Sequence, residues 1–438
     1  MRQVLAIAAL ATTLSACTFY SSEPLPAASD LAKEPASLPP HALSMAEVAA
    51  LAVERSPDLV ALRRKEQVSE AQAFSAGLLP DPQLTASLDH PTVRGVGLTN
   101  AYALGLSEDL QMLLTFPSRH SAARAQGDQA RLNILWDEWQ TIEKTETLFV
   151  QKTFADKKAA KLSETSKLLL DQAQRSGRAL KEGNSTLDVA GSDLSAALDI
   201  SSQADTASRD ALANDVNLKS QLDVAPSVPI TLADLGDPPT FTDSVVDSAL
   251  KNVANARPDL LALQAGYHAQ EENVRTAILQ QFPTFTLGGT RASDATNVKT
   301  VGVSATITLP IFGNVQANIK TQRATRAQLK AEYQQRLDQT EADARRIMTE
   351  IGILKEQISR LEGRLPDFER MAAVGRKAYA EGNLAPATYV QLQTSSTARQ
   401  GELFDLKAAL WTDTITLAVL LALPITPVPR QPTNGGKP

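Results

Sequence analysis

The sequence is short of the residues that most catalytic and extracellular proteins depend on. It has one cysteine, so no disulfide framework is available. Its four histidines, His41, His90, His120 and His268, are scattered. None stands at ligand spacing from another histidine, the cysteine or an acid, so no metal site is expected. No glycine-rich phosphate loop follows a strand pattern and no serine nucleophile elbow occurs, so neither a cofactor nor an enzymatic activity is expected. A net charge of -6 with no basic stripe disfavours nucleic acid. Beyond the N-terminal residues no apolar run is long enough for a transmembrane helix, so any membrane crossing has to use strands.

What the chain does contain begins with the position of that cysteine. Arg2 is a short positive n-region, and Val4 to Leu14 is an apolar run too short to span a membrane. Leu14-Ser15-Ala16-Cys17 then resembles a bacterial lipobox. That likeness implies a signal peptide over 1–16, cleavage before Cys17 and lipidation of Cys17; Thr18 rather than Asp after it points to the outer membrane. Residues 17–43 are rich in Pro, Ser and Ala and read as an extended, lipid-anchored tether.

Glu182-Gly183-Asn184 and Glu381-Gly382-Asn383 are two copies of one turn. Each lies between long segments of helical pattern, where glycine closes a helix in the left-handed region. Two long helical hairpins imply an internal duplication, with one repeat over 44–225, a connection over 226–241, a second repeat over 242–423 and a disordered tail over 424–438. The other landmarks recur in order. Ser44 and Glu47 form a capping box before a first helix, and Thr242-Asp243 caps its counterpart. Ser56-Pro57-Asp58-Leu59 is echoed by Arg257-Pro258-Asp259-Leu260, and Leu79-Pro80 by Phe282-Pro283. Pro117 and Ser118 are expected to end the first strand section, so that the long helix begins at Arg119. In the second repeat Thr340, Ala344, Ile347, Ile351, Leu354, Ile358, Leu361, Leu365 and Phe368 step by four and three, the seam of a left-handed coiled coil, with a kink or a register change expected at Pro366.

Four segments alternate instead, at about 83–90, 100–110, 284–291 and 299–309. Tyr102, Leu104 and Leu106 interleave with Ala103, Gly105 and Ser107; Val301, Val303, Ala305 and Ile307 interleave with Thr300, Gly302, Ser304, Thr306 and Thr308. A face on an ordinary core would explain this, and so would lipid outside and water inside; the segment length and the lipobox favour the barrel, with the small polar set facing the lumen.

The ordered duplication of helix, Leu-Pro, two strands, Pro, long helix, glycine tip and long helix resembles the TolC-like outer-membrane factors. Leu365-Pro366-Asp367-Phe368 followed by Ala378-Tyr379-Ala380-Glu381-Gly382 looks like the heavy-metal and multidrug efflux lipoprotein branch, where a Leu-Pro precedes the tip and Tyr-x-x-Gly marks the turn. The resemblance implies a mainly α fold with a small β part. Its long hairpins would form an α-barrel, and its four strands would join a trimeric 12-stranded transmembrane β-barrel. It implies a homotrimer in outer-membrane lipid, with a long periplasmic extension. The duct would passively export small solutes such as metal ions or drugs. A periplasmic adaptor would dock at the two tips, and an inner-membrane pump of RND type would feed the duct. Acids after the tips close such ducts, which makes Asp188 and Asp193 the candidate constriction; Ala385 to Thr394, after the second tip, contains none. Two other readings stand beside this one: a type I protein secretion duct, and a non-transporting lipid-anchored coiled-coil scaffold.

Overall fold

The computed structural model describes residues 20–28, 38–79, 81–93, 95 and 97–424. The signal peptide, Cys17, Pro80 and the chain beyond residue 424 lie outside the described residues. Helices α1 (Met45–Arg55) and α2 (Pro57–Ala76) lead into strands β1 (Gln83–Asp89) and β2 (Ala101–Asp109). Helices α3 (Leu110–Lys181) and α4 (Leu187–Gln221) form the first hairpin. The order then repeats as α5 (Asp243–Ala256), α6 (Pro258–Leu279), β3 (Thr284–Ser293), β4 (Lys299–Thr308), α7 (Asn314–Ala380) and α8 (Pro386–Leu420).

Local chemistry explains most helix ends. Both bonds of the capping box are present: Glu47 N–H donates to Ser44 Oγ at 3.3 Å, and Ser44 N–H donates to Glu47 Oε2 at 2.8 Å. Ser56 caps α2 ahead of Pro57. Thr242 stands at the N-cap of α5, but its hydroxyl pairs with that of Ser244 and not with the backbone. The long helix of the first repeat corrects the sequence reading. It starts at Leu110, capped by Asp109, and runs through Pro117. Eight residues in, Pro117 cannot bond the Leu113 carbonyl and its ring crowds that carbonyl, a cost that packing around the turn has to offset. Ser118 then ties this turn to α6 through the Thr276 hydroxyl at 2.8 Å. The second repeat does break at Pro310: residues 309–313 separate β4 from α7, which begins after Gly313 in the left-handed region. Helix α7 continues past Pro366 without interruption.

At 72 and 67 residues, α3 and α7 are about 110 and 100 Å long. Helix α3 is the central stave and packs on α1, α2, α4, α6 and α8. Helices α4 and α7 lie at opposite edges: α4 touches α3 and α8, while α7 touches α8, α6 and α5. The heptad seam of α7 is buried from Thr340 to Ile358, with Leu361 and Leu365 partly buried, and it packs against Leu403, Leu410 and Leu417 of α8. A second cluster forms where the connection crosses the body. Leu43 pairs with Leu232 as an isolated parallel bridge, and both pack into a core of Val48, Ala52, Phe149, Leu218, Leu222 and Val228. The four strands form one antiparallel sheet in the order β1-β2-β3-β4, which joins the two repeats edge to edge through β2 and β3.

Candidate duct wall and hairpin tips

The strand register sorts the side chains, because directly opposed residues of an antiparallel pair share a face. One face carries Leu84, Ala86 and Leu88, then Tyr102, Leu104 and Leu106, then Phe285 and Leu287, then Val301, Val303, Ala305 and Ile307. The other carries Thr85 and Ser87, then Ala103, Gly105 and Ser107, then Thr284, Thr286, Gly288 and Thr290, then Thr300, Gly302, Ser304, Thr306 and Thr308. All eight residues expected on the lumen side fall on this second face.

The two faces differ in space as well as polarity. A Cβ added at Gly105 would lie 2.7 Å from Thr85 Oγ1, one at Gly288 would lie 2.8 Å from Ser304 Oγ, and one at Gly302 would lie 3.1 Å from Thr290 Oγ1. At Gly289, on the apolar face, the same atom would meet nothing within 4 Å. The small-polar side is therefore crowded at Gly105, Gly288 and Gly302, whereas the apolar side is open at Gly289. Val301 and Val303 on the apolar side are 84% and 88% exposed. No helix among the described residues is long and apolar enough to cross a membrane.

The two tips are the same structure. Gly183 and Gly382 both have φ of 74°. Asn184 N–H donates to Ala179 O at 2.7 Å, and Asn383 N–H donates to Ala378 O at 2.8 Å, each closing the 6→1 loop of a Schellman motif. Glu182, Asn184, Glu381 and Asn383 are exposed, and a Cβ at either glycine would meet nothing. Re-entry differs: Thr186 caps α4 by accepting from Val189 N–H, whereas α8 starts on Pro386.

Behind the tips the structure corrects one expectation. Asp193 is 2% exposed and cannot line a passage. Its carboxylate accepts from Gln172 Nε2 at 2.8 Å and from the Ser176 hydroxyl. The Gln172 amide also meets the Tyr379 hydroxyl at 2.5 Å, and Tyr379 stacks on Tyr389 with 4.7 Å between ring centroids. The phase of α4 turns Asp193 toward α3, so its charge is satisfied inside the protomer and joins the first hairpin to the second. Asp188, in the first turn of α4, is exposed and remains the acid available there. The sequence carried part of this signal in Tyr379, three residues before the second tip, but Gln172 and Ser176 have no local mark.

Buried charge is concentrated midway along the helices. Arg257, 2% exposed, makes two bonds to Asp259 at 2.9 and 2.6 Å, donates to Thr340 and to Leu420 O, and lies over the Trp136 ring. Burial pushes the Glu146 carboxyl up to about 7, with repulsion from Glu143 adding to it. No cluster of ligating side chains suited to a metal occurs among the described residues.

Residues 249–423 match the outer membrane efflux protein family. The resemblance to the TolC-like outer-membrane factors is borne out. Solved structures extend the likeness beyond that segment. The outer membrane channel CmeC of Campylobacter jejuni is 15% identical, with 86% of this chain and 85% of that one covered at a TM-score of 0.71. The outer-membrane channel OprN is 14% identical, with 94% and 100% covered at 0.73. The outer membrane protein VceC of Vibrio cholerae is 15% identical, with 87% and 97% covered at 0.71. At these identities the structures establish the fold, a TolC-like duplicated protomer of long hairpins and four strands. No curated protein matches the chain significantly.

Proposed function

We propose that this chain is one protomer of an outer-membrane exit duct that passively exports small solutes such as metal ions or drugs. The observation that carries the reading is the two-sided sheet: one face is lined mainly with Thr, Ser, Gly and Ala, and the other mainly with Leu, Val, Ile and Phe. Water inside and lipid outside is the environment that rewards both at once.

Four strands cannot close on themselves. Two chains would give an eight-stranded barrel filled by its own side chains, whereas three give twelve strands around an open channel, so the assembly is a homotrimer. Free edges support this. β1 and β4 each lack a partner on one side, and α4 and α7 are the outer staves of the helical layer. Helix α4 exposes Leu187, Leu194, Leu198 and Leu212, and α7 exposes Ile353, Met371 and Val374. Two different edges pairing head to tail make a closed ring when the rotation permits. Cys17 anchors each protomer to the outer membrane, with a second acyl chain making attachment stable. The tips then point to the periplasm, where Glu182-Gly183-Asn184 and Glu381-Gly382-Asn383 meet the adaptor of an inner-membrane pump of RND type. Asp188 supplies charge near the closed end.

Reconstitution tests the reading. The purified protein should run as an unheated trimer that collapses to a monomer on boiling, and it should give stepwise single-channel currents in a planar bilayer. A monomer that never conducts would overturn it.

A further inference from the structure

The Leu/Val-rich face of the sheet is not apolar throughout. The register puts Leu88, Tyr102, Ser293 and Lys299 in one cross-strand row, and Ala86, Leu104, Arg291 and Val301 in the next. Arg291 and Lys299 therefore share the face of Leu104, Val301 and Val303, and both are exposed. Neither makes an ion pair or side-chain hydrogen bond among the described residues. Both lie near the loop end of the sheet. There Thr99 N–H donates to Ala295 O at 2.8 Å, and Asp294 caps its own turn by accepting from Thr296 and Val298 N–H. At the opposite end of the same face Phe285 pairs with Ile307. From Phe285 to Ser293 is eight residues, about 26 Å of strand at ~3.3 Å per residue. In a barrel whose strands tilt by about 35–45°, that strand length covers about 20 Å of height, most of the roughly 25 Å apolar band that aromatic residues flank at both rims. Tyr102 and Phe285 stand at those two rims.

A guanidinium and an ammonium left without partners on a lipid-facing wall are costly unless an anion reaches them. The depth decides which anion. Both cations sit at the outer rim, the half-buried Tyr102 hydroxyl lies in the same row, and apolar side chains continue directly below. A ligand that satisfies all three has a phosphate head and acyl tails. We infer that Tyr102, Arg291 and Lys299 form a binding site for a phosphate-bearing lipid of the outer leaflet, with the phosphate held between Arg291 and Lys299 and the tails laid along Leu104, Val301 and Val303. Arginine suits this position because its planar fork takes two phosphate oxygens at once, and lysine adds a point charge. The site rests on the barrel reading given above.

The test uses the full chain in neutral detergent, titrated with diphosphorylated lipid A or with phosphatidylcholine, and reads bound lipid per protomer by native mass spectrometry. The wild-type protein should retain lipid A at about tenfold lower concentration than phosphatidylcholine. Arg291→Gln with Lys299→Gln should bring that ratio to near one, whereas Thr300→Gln on the small-polar face should leave it unchanged. Inorganic phosphate at the same concentration should not displace the lipid. Equal retention of both lipids by the wild type, an unchanged ratio in the double variant, or displacement by free phosphate would each overturn the inference. Channel currents in pure phosphatidylcholine bilayers separate this failure from failure of the barrel reading: a conducting protein without lipid preference overturns the lipid site alone, and one that never inserts overturns both.

Discussion

The two repeats make the same turn between their first two helices, and they stabilise it with opposite chemistry. In the first, Ser56 stands before Pro57, fully buried; its hydroxyl accepts from Leu59 N–H and from the Gln221 amide at 2.7 Å. In the second, Arg257 stands before Pro258, also buried, makes no cap bond, and is held by Asp259, Thr340 and Trp136. Both solutions tie the turn to a long helix or its return partner. The duplicated backbone constrains where a polar group must be satisfied, but not which group does it. A neutral hydroxyl can be lost at modest cost. A buried ion pair cannot lose one member without stranding the other.

The largest effect should come from that asymmetry. Arg257→Ala takes both short bonds from buried Asp259, leaving it only Arg336 Nε at 3.5 Å, and should cost up to about 3–5 kcal/mol. It would show as a large drop in the thermal midpoint of the purified protein. Next comes the buried acid beside this network. Glu146 has a folded pKa of about 7, above its ordinary 4.5, so the folded state holds the proton more tightly than the unfolded chain. Its contribution is fully present below about pH 4.5 and is lost as pH rises toward 7, by on the order of 2–3 kcal/mol. Stability measured across that window should flatten in Glu146→Gln; an unchanged slope would show that another group sets it. At the tips the repeats should behave alike. Gly183→Val and Gly382→Val each strain a left-handed residue by about 1–2 kcal/mol, so both variants should assemble normally yet lose adaptor crosslinking and resistance. Normal crosslinking in both would leave the tips as plain turns. Ser56→Ala should be smallest, about 1 kcal/mol, and a loss as large as that of Arg257→Ala would erase the contrast between the repeats.

Elements whose cause is local were legible in the chain itself. The capping box at Ser44, both glycine tips, the α7 seam and all four alternating strands depend on residues within a few positions of one another. Pro117 misled because proline near a strand end reads as a stop, whereas the turn it occupies is held from outside by Thr276 of α6. Asp193 misled for a related reason. Its distance from the tip is visible in sequence, but the direction it points depends on Gln172 and Ser176 in the preceding helix and on the surroundings of Tyr379 in the other repeat. The Arg257 network likewise spans Trp136, Thr340 and Leu420, three stretches with no local tie. Position follows from nearby residues; partnership across repeats does not.

The central claim is that the sheet is a barrel wall with lipid on one side and water on the other. Single cysteines along β4 test it directly, in the reconstituted protein, with one lipid-phase probe and one membrane-impermeant maleimide. Cysteine at Val301, Val303 or Ile307 should react with the lipid-phase probe and resist the maleimide, and cysteine at Thr300, Ser304 or Thr308 should do the reverse. If the two sets label alike, the strand is not a barrel wall and the exit-duct account is wrong.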